Sequence, residues 1–277
     1  MKLNRRQMLI STAAAAGATC FDLSTVFGDD PYGGFPIGVQ SYSLRKFNLL
    51  EAIRHIQGMG LHFVEFYQKH APVTKDKNKI AELNGLLKKA DISISAHGVN
   101  AFGGDHEANR LIFEFAKLQG IKCLSANPKK ASYKSLDKLC EEFKIRIAIH
   151  NHGPGALFDK IDDVVQACKG RHPLFGACID TGHFIRSKED PVAAVHKLKG
   201  RVFALHVKDE AKQEKQSHNV IIGSGHLDVV GLFQALKKAV FPADGSISLE
   251  YEANPDNPID DMKQCLLVAQ EAIAKVK

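Results

Sequence analysis

Four strand-like segments in the second half of the chain constrain its fold most, because each ends near a residue that can bind a metal. They cover residues 145–153, 175–183, 202–208 and 246–252. In the first segment, isoleucines occupy the odd positions, whereas His150 and His152 lie at even ones. Successive side chains of a strand point to opposite faces, so one face is apolar and the other carries the two imidazoles. The other three segments alternate in the same way and bring Asp180, His206 and Glu250 to their C-terminal ends.

The same alternation of strands and helices extends over the rest of the chain. Further strands are predicted at residues 37–42, 63–67, 92–97 and 123–127. Eight strand–helix units over about 240 residues, joined by short connections, predict an α/β fold, a single-domain (β/α)₈ TIM barrel. A doubly wound sheet is the alternative, but no glycine-rich phosphate fingerprint follows the first strand.

Helix boundaries follow from start and stop signals. Asn48 and Glu51 form a capping box, and Asp190 precedes a proline at the first helical position. The polar run 209–219 is too long for a minimal turn and indicates a lid or insertion. Asp228 is expected to cap the helix before the last strand. The other expected helices cover residues 48–59, 78–89, 105–118, 133–143, 158–168, 190–198 and 257–275.

Composition indicates one large core and argues against a nucleic-acid partner. The 277 residues are 44% hydrophobic, enough for one large core. The net charge is +6, but the lysines are scattered along helix-like segments and the chain has no Trp, so we expect no nucleic-acid partner. The six cysteines form no C-x-x-C motif and are expected to be buried small hydrophobic residues.

Residues 1–28 are expected to be a twin-arginine-type signal segment, and residues 29–277 the barrel. The run from Asn4 to Leu9 contains adjacent arginines, and the apolar stretch 10–19 that follows is too short to span a membrane. The mature chain is therefore expected to be exported to the periplasm without stable membrane insertion. An ordinary cytosolic N-terminal helix and lipidation of Cys20 are the alternatives.

The four ligand-type residues predict a metal site. In a TIM barrel the C-terminal strand ends form the active site. Two imidazoles with two carboxylates suit one divalent Zn²⁺, Mn²⁺, Fe²⁺ or Co²⁺ ion better than Ca²⁺. The alternative is a polar barrel mouth without metal.

Several motifs resemble the xylose-isomerase-like sugar phosphate isomerase/epimerase family over nearly all of residues 36–276. They are Asp180-Thr-Gly-His183, His206-Val-Lys-Asp209, the run 223–228 and Ser248-Leu-Glu250. The resemblance implies a carbohydrate substrate and a divalent metal held at the ends of strands five to eight. Three family ligands match Asp180, His206 and Glu250, whereas His150 stands where the family has a Glu.

The resemblance also implies a mechanism. A metal would bind a substrate carbonyl and make the adjacent C–H acidic, with Glu250 as the base and His183 and Lys208 as candidates for proton relay and oxyanion contact. Because His150 replaces a carboxylate, a symmetric two-carboxylate epimerase is less expected. The alternatives to an isomerase or epimerase are a lyase acting on 3-keto-glycosides and a non-catalytic sugar-binding barrel. The oligomeric state is left open.

Three further residues are candidates for substrate binding, each with a structural alternative. Glu65 could bind a sugar hydroxyl or pair with a residue of a neighbouring strand. His97 could contact the substrate or cap the barrel. His152 could touch the substrate or orient the loop that follows His150. Lys208 could also be a solvated lysine at a strand end.

The arginine pair gives a direct test of export. Because a twin-arginine signal depends on both guanidinium groups, Arg5→Lys with Arg6→Lys should leave the protein in the cytoplasm of its host. Cell fractionation followed by immunoblotting measures the distribution. Normal appearance of the double variant outside the inner membrane would contradict the signal assignment.

Overall fold

A computed structural model of the chain describes residues 30–276. The expected signal segment, its arginine pair and Cys20 therefore lie outside the described residues. From Tyr32 onward the chain forms one compact unit. The strands are β1 (Ile37–Gln40), β2 (Phe63–Phe66), β3 (Ser93–Phe102), β4 (Cys123–Pro128), β5 (Arg146–His150), β6 (Phe175–Asp180), β7 (Val202–Val207), β8 (Asp209–Glu210), β9 (Asn219–Val220) and β10 (Ser246–Leu249).

Eight of these strands close into a parallel barrel in the order β1, β10, β7, β6, β5, β4, β3, β2, which confirms the predicted TIM barrel. The remaining two, β8 and β9, form a small antiparallel hairpin. The helices of the described chain are α1 (Leu49–Gly58), α2 (Lys77–Ala90), α3 (His106–Leu118), α4 (Tyr133–Phe143), α5 (Ile161–Cys168), α6 (Thr181–Arg186), α7 (Pro191–Lys197), α8 (Val229–Lys238) and α9 (Ile259–Ala274).

The capping signals mark the helix starts as expected. Asn48 and Glu51 form the reciprocal capping box of α1, and the Asp190 side chain accepts from the backbone N–H of Val192 at the start of α7. The apolar faces of the helices pack on the outside of the barrel, where Phe175 and Phe233 are almost completely buried. Burying one such side chain contributes about 1.5–3 kcal/mol. No helix within residues 30–276 is both long and apolar enough to cross a membrane.

Two elements differ from the sequence prediction, and a third favours one of its alternatives. Strand β3 continues to Phe102 instead of ending at residue 97. Helix α6 follows directly after β6, where no helix was predicted, because the Asp180 carboxylate accepts from the backbone N–H of His183 and caps it. The polar run 209–219 forms the β8–β9 hairpin, so it is an insertion with a structure of its own.

The barrel interior has an apolar lower layer and a polar upper layer. Small residues and one aromatic ring fill the lower layer: Ala96, Cys123, Ala148, Cys178, Phe203 and Ala204. Above them, Ser248 and Ser125 donate hydrogen bonds to the Glu65 carboxylate, which is fully buried. The small side chains at these positions leave space in the interior, and Glu65 fills it. The cysteines of residues 30–276 are buried and unpaired, as expected.

The Asp209 carboxylate holds the loop after the hairpin in place. It is fully buried and accepts hydrogen bonds from the backbone N–H groups of Gly223, Gly225, His226 and Leu227, at 2.7–2.9 Å. The loop can approach this closely because residue 225 is a glycine: an added Cβ would lie 2.6 Å from an Asp209 oxygen. Asp209 therefore fixes the chain that leads out of β7 at the mouth of the barrel.

Replacing Asp209 by Asn should destabilise the fold. Only one side-chain oxygen would remain, and the new NH₂ group would face N–H donors, so the free energy of unfolding should fall by about 3 kcal/mol. Urea unfolding followed by circular dichroism measures the change. Asp228→Asn is the matched control, because Asn and Asp are equivalent at an exposed helix N-cap. Equal stability of the two variants would show that Asp209 does not hold the loop.

Candidate metal centre

Four ligand-type side chains converge at the carboxyl ends of β5, β6, β7 and β10. They are His150, Asp180, His206 and Glu250, all buried, each with one ligand atom within 4.8 Å of the other three. Nδ1 of His206 lies 2.9 Å from Nε2 of His150, 2.9 Å from Oε2 of Glu250 and 3.9 Å from Oδ2 of Asp180. Nε2 of His150 lies 3.2 Å from the same Asp180 oxygen. The predicted set of ligands is therefore brought together.

These separations fit one small divalent ion. Metal–ligand distances of about 2.0–2.2 Å place tetrahedral ligand atoms about 3.3 Å apart, within the range observed here. The charges also fit. Three carboxylates, those of Asp180, Glu250 and Glu252, contact the Lys208 ammonium group, and a fourth, that of Glu65, contacts the His206 ring. A divalent cation would offset the excess negative charge, so the donor set suits a metal.

Buried charges in this cluster shift each other's titration. Burial raises the pKa of Glu250, but the Lys208 ammonium and His206 outweigh it and hold that pKa well below its usual range. Burial lowers the pKa of Lys208, but Asp180, Glu250 and Glu252 raise it well above its ordinary value. Glu250 is therefore ionised and Lys208 protonated in the metal-free protein.

His206 is held protonated for the same reason. Burial lowers its pKa, but neighbouring Cys178 and the carboxylates of Glu65 and Glu250 raise it well above its ordinary value. Without a bound ion, the His206 imidazolium supplies positive charge between the carboxylates of Glu65 and Glu250. Metal binding must displace a proton from this ring, so we expect binding to weaken at low pH.

Glu65 supports His206 from below and does not line the cavity. Its Oε2 atom lies 3.0 Å from Nε2 of His206, the nitrogen that points away from the cluster. A carboxylate in this position fixes the tautomer and the orientation of a metal-binding histidine. Of the two alternatives for Glu65, the structure favours pairing within the barrel, because the carboxylate is enclosed by Ser125, Ser248 and His206.

His150 has no such support. Its Nδ1 atom is buried without a hydrogen-bond partner among the described residues. Asn151 next to it ties β5 to β6, because its side chain donates to the Asp180 carbonyl at 2.9 Å and accepts from the Asp180 N–H at 2.8 Å. The backbone at His150 is thus fixed, but its ring is held less firmly than the ring of His206.

His97 lies away from the site, which favours its structural alternative. Its Nε2 atom lies 2.9 Å from the Ala71 carbonyl oxygen, and its ring packs edge-on against Phe115. The ring is completely buried and is not part of the cavity wall. Burial lowers the pKa of His97, so the ring is neutral.

A cavity of about 440 Å³ opens above the cluster. Of the predicted site residues, His150, His152, His183, Lys208 and Glu250 line it, together with Glu252. The rings of His152 and His183 stack with centroids 5.4 Å apart. Burial lowers the pKa of His152 to about 4 and that of His183 to about 3, so both rings are neutral at pH 7. Because His152 lines the cavity, its position favours the substrate-contact alternative. Lys208 is buried, so the alternative of a solvated lysine at a strand end is wrong.

The cavity wall also contains residues that the sequence did not single out. They are Gln40, Tyr42, Tyr67, Gln68, Gly98, Val99 and Arg186. Gln40, Tyr42, Tyr67 and Gln68 lie at or just beyond the carboxyl ends of β1 and β2, so applying the strand-end rule to all eight strands would have found them. Arg186 depends on the unpredicted helix α6, and no sequence signal pointed to it.

Comparisons with known proteins place the chain in one family. Residues 53–268 match the family described as xylose isomerase-like TIM barrel. Inosose dehydratase of Clostridium beijerinckii is 28% identical over 137 residues, which are 43% of this chain and 45% of that protein, less than half of its length.

Two solved structures share the fold over most of the chain. An uncharacterized protein from Parabacteroides distasonis is 28% identical, with a TM-score of 0.66, and the alignment covers 86% of this chain and 99% of that one. The 3-keto-D-glucoside 4-epimerase of E. coli is 17% identical, with a TM-score of 0.65 and coverage of 86% and 99%. With the family match over most of its length, this chain belongs to the xylose isomerase-like TIM barrel family.

Proposed function

We propose that the protein is a metal-dependent sugar isomerase or epimerase that removes a carbon-bound proton next to a substrate carbonyl. The observation that carries the proposal is the convergence of His150, Asp180, His206 and Glu250 next to a cavity large enough for a sugar, which His150 and Glu250 themselves line. The four residues would hold one divalent ion. When bound, such an ion supplies a Lewis acid that polarises a carbonyl and makes the neighbouring C–H acidic.

Glu250 is the proposed base. Its carboxylate lines the cavity, where it would accept the proton. The protonated Lys208 is 2.8 Å from Oε2 of Glu250 and also lines the cavity. It is placed to stabilise negative charge on a substrate oxygen while Glu250 takes the proton.

Both carboxylates that line the cavity, Glu250 and Glu252, come from the end of β10. The neutral rings of His152 and His183 also line the cavity, but the substitution at His150 leaves that part of the wall without a carboxylate. A base on one wall supports removal and return of a proton on the same face of a sugar, as in an aldose–ketose isomerisation. Inversion at carbon would require a proton donor on another wall, a role that the two imidazoles would have to perform.

A lyase acting on 3-keto-glycosides is the second candidate. It uses the same first step, but a glycosidic oxygen leaves from the neighbouring carbon instead of the proton being returned. The partial match to inosose dehydratase supports this alternative, because a dehydratase also eliminates an oxygen substituent. A base on one wall serves such an elimination as well as it serves an isomerisation.

The metal assignment predicts a graded loss of metal among ligand variants. Protein reconstituted with Mn²⁺, Zn²⁺ or Co²⁺ should hold about one ion per chain, the number expected for a single site. His206→Ala and Asp180→Ala should lower occupancy strongly, whereas His150→Ala should lower it less, because His150 lacks a supporting partner. Plasma emission spectrometry after dialysis measures occupancy.

His196→Ala is the control, since His196 is exposed on α7 and far from the ligand set.

His150→Glu should retain metal and shift the preference toward the harder Mn²⁺, because carboxylate oxygen is a harder ligand than imidazole nitrogen. Wild-type protein that binds none of the three ions would contradict the metal site.

The proton-transfer step predicts isotope exchange. A substrate incubated with the metal-loaded protein in D₂O should gain deuterium next to its carbonyl, or give a product labelled there. Glu250→Gln removes the base with little change of shape, so the rate should fall about 10²–10⁴-fold. Mass spectrometry and NMR measure both. Because Glu250 is also a ligand, the rate of the variant is compared at matched metal occupancy.

The products separate the two candidate reactions. An isomerase or epimerase gives a sugar of unchanged mass, whereas a lyase releases an aglycone or a second sugar and leaves an unsaturated keto-sugar. A panel of aldoses, ketoses and 3-keto-glycosides covers both. If the metal-loaded protein gives no exchange, no isomer and no released fragment with any of them, both catalytic proposals fail and the non-catalytic sugar-binding barrel is favoured.

A further inference from the structure

Arg186 is the cation of the cavity wall that has no carboxylate partner. Its Nε atom donates to the Lys215 carbonyl at 3.2 Å, and its Nη1 atom lies 3.4 Å from Nδ1 of His183. Within residues 30–276, no carboxylate oxygen lies within 4.0 Å of the guanidinium. The other cation of the wall, Lys208, is in contact with three carboxylates. The charge of Lys208 is therefore compensated by carboxylates, whereas the charge of Arg186 is not.

The guanidinium is also held firmly in its position. The Lys215 carbonyl, on the loop between β8 and β9, fixes its Nε atom. The backbone of the loop after β5 passes directly against its other edge, because a Cβ added at Gly153 would lie 3.0 Å from Nη2. A guanidinium with a fixed orientation loses little entropy when it binds a planar or tetrahedral anion through two parallel hydrogen bonds.

Glu210 on β8 interacts with Arg186 electrostatically but forms no ion pair with it. Oε1 of Glu210 accepts from the Asn219 side chain at 2.9 Å. Glu210 is buried and is not part of the cavity wall. Glu210 contributes negative charge nearby, but no carboxylate of residues 30–276 accepts a hydrogen bond from the guanidinium.

We infer that Arg186 binds an anionic substituent of the substrate, a carboxylate or a phosphate, at the part of the cavity wall next to His183. Arg186 contacts His183, and the ring of His183 lies 5.7 Å from the ring of His150. The anion therefore sits about one imidazole ring away from the metal ligands, a separation that a sugar ring can bridge. The inference rests on the proposed function in that it names the substrate class of the same cavity: acidic or phosphorylated sugars rather than neutral ones.

Matched sugars test this inference without turnover. Isothermal titration calorimetry of the Mn²⁺-loaded protein would compare D-glucose with D-glucuronate and D-glucose 6-phosphate. At least one anionic sugar should bind about tenfold more tightly than glucose, because a charge-assisted hydrogen bond contributes about 1.5–3 kcal/mol. Preference for glucuronate assigns the site to carboxylates, and preference for glucose 6-phosphate assigns it to phosphates. Equal binding of all three sugars would overturn the inference.

Variants locate the preference. Arg186→Gln should lower the affinity for the preferred anionic sugar about 10- to 100-fold and leave the affinity for glucose within about twofold. Arg186→Lys should retain part of the preference, because the charge remains but the fork of donors is lost. Lys212→Gln is the control: it removes the same charge from the hairpin at an exposed side chain that pairs with Glu214.

Two outcomes oppose the inference and identify another cause. If the preference survives in Arg186→Gln, the metal or Lys208 binds the anion and the inference fails. If Lys212→Gln lowers the affinity as much as Arg186→Gln, the preference reflects overall charge and the inference also fails. If Arg186→Gln loses its metal, Arg186→Lys decides the question, because its long cationic side chain preserves the fold better. Full retention of the anion preference in Arg186→Lys would count against binding through the two parallel donors of the guanidinium.

The inference and the proposed function can fail separately. An anion preference that depends on Arg186, without any isotope exchange, would keep the binding site and remove the catalytic proposal. Exchange with neutral sugars only, at rates unaffected by Arg186→Gln, would keep the catalytic proposal and remove the anion site.

Discussion

The compensation of buried charge at the carboxyl ends of the strands is the constraint on which the rest of this site depends. Isolated ions are very costly to bury, so buried charges must be paired. Asp180, His206 and Lys208 are each at most 3% exposed, yet each is charged in the metal-free protein. They are tolerated because Lys208 contacts Asp180, Glu250 and Glu252, and because His206 lies between Glu65 and Glu250. Removing the charge of one member would leave its partners buried without full compensation.

The interior of the barrel is built to carry this cluster. Serines on β4 and β10 are small enough to admit the Glu65 side chain from β2, and they donate to both of its oxygens. Glu65 in turn fixes the ring of His206, so a layer of hydrogen bonds below the cluster determines where its central nitrogen points. Asp180 links the same cluster to the mouth: one oxygen faces the ligands, and the other caps α6, which carries His183 and Arg186.

The parts of the site that could be predicted from sequence are those governed by strand periodicity. Alternation within strands placed His150, Asp180, His206 and Glu250 on inward faces at similar depths, and a closed barrel must bring such positions together. The same rule could not predict the role of Glu65. An inward-pointing side chain can either line the cavity or be buried in the barrel interior against the opposite strands, and strand periodicity does not distinguish the two. Arg186 was missed because helix α6 has a single turn and a half, and its cap is a residue that also looks like a metal ligand.

His150 changes the chemical character of the site more than its geometry. A carboxylate in its place would put negative charge on the wall that now carries the neutral rings of His152 and His183. With histidine there, the carboxylates of the cavity are confined to the end of β10, and the opposite charge, that of Arg186, lies next to the imidazoles. Under the proposed function, the Glu250 carboxylate would face the reacting carbon, and the Arg186 guanidinium would lie beside the imidazoles on another part of the cavity wall. An anionic sugar bound across the cavity would be attracted to Arg186, whereas the carboxylates of Glu250 and Glu252 are compensated in part by Lys208, so the charge distribution would favour one orientation of the substrate.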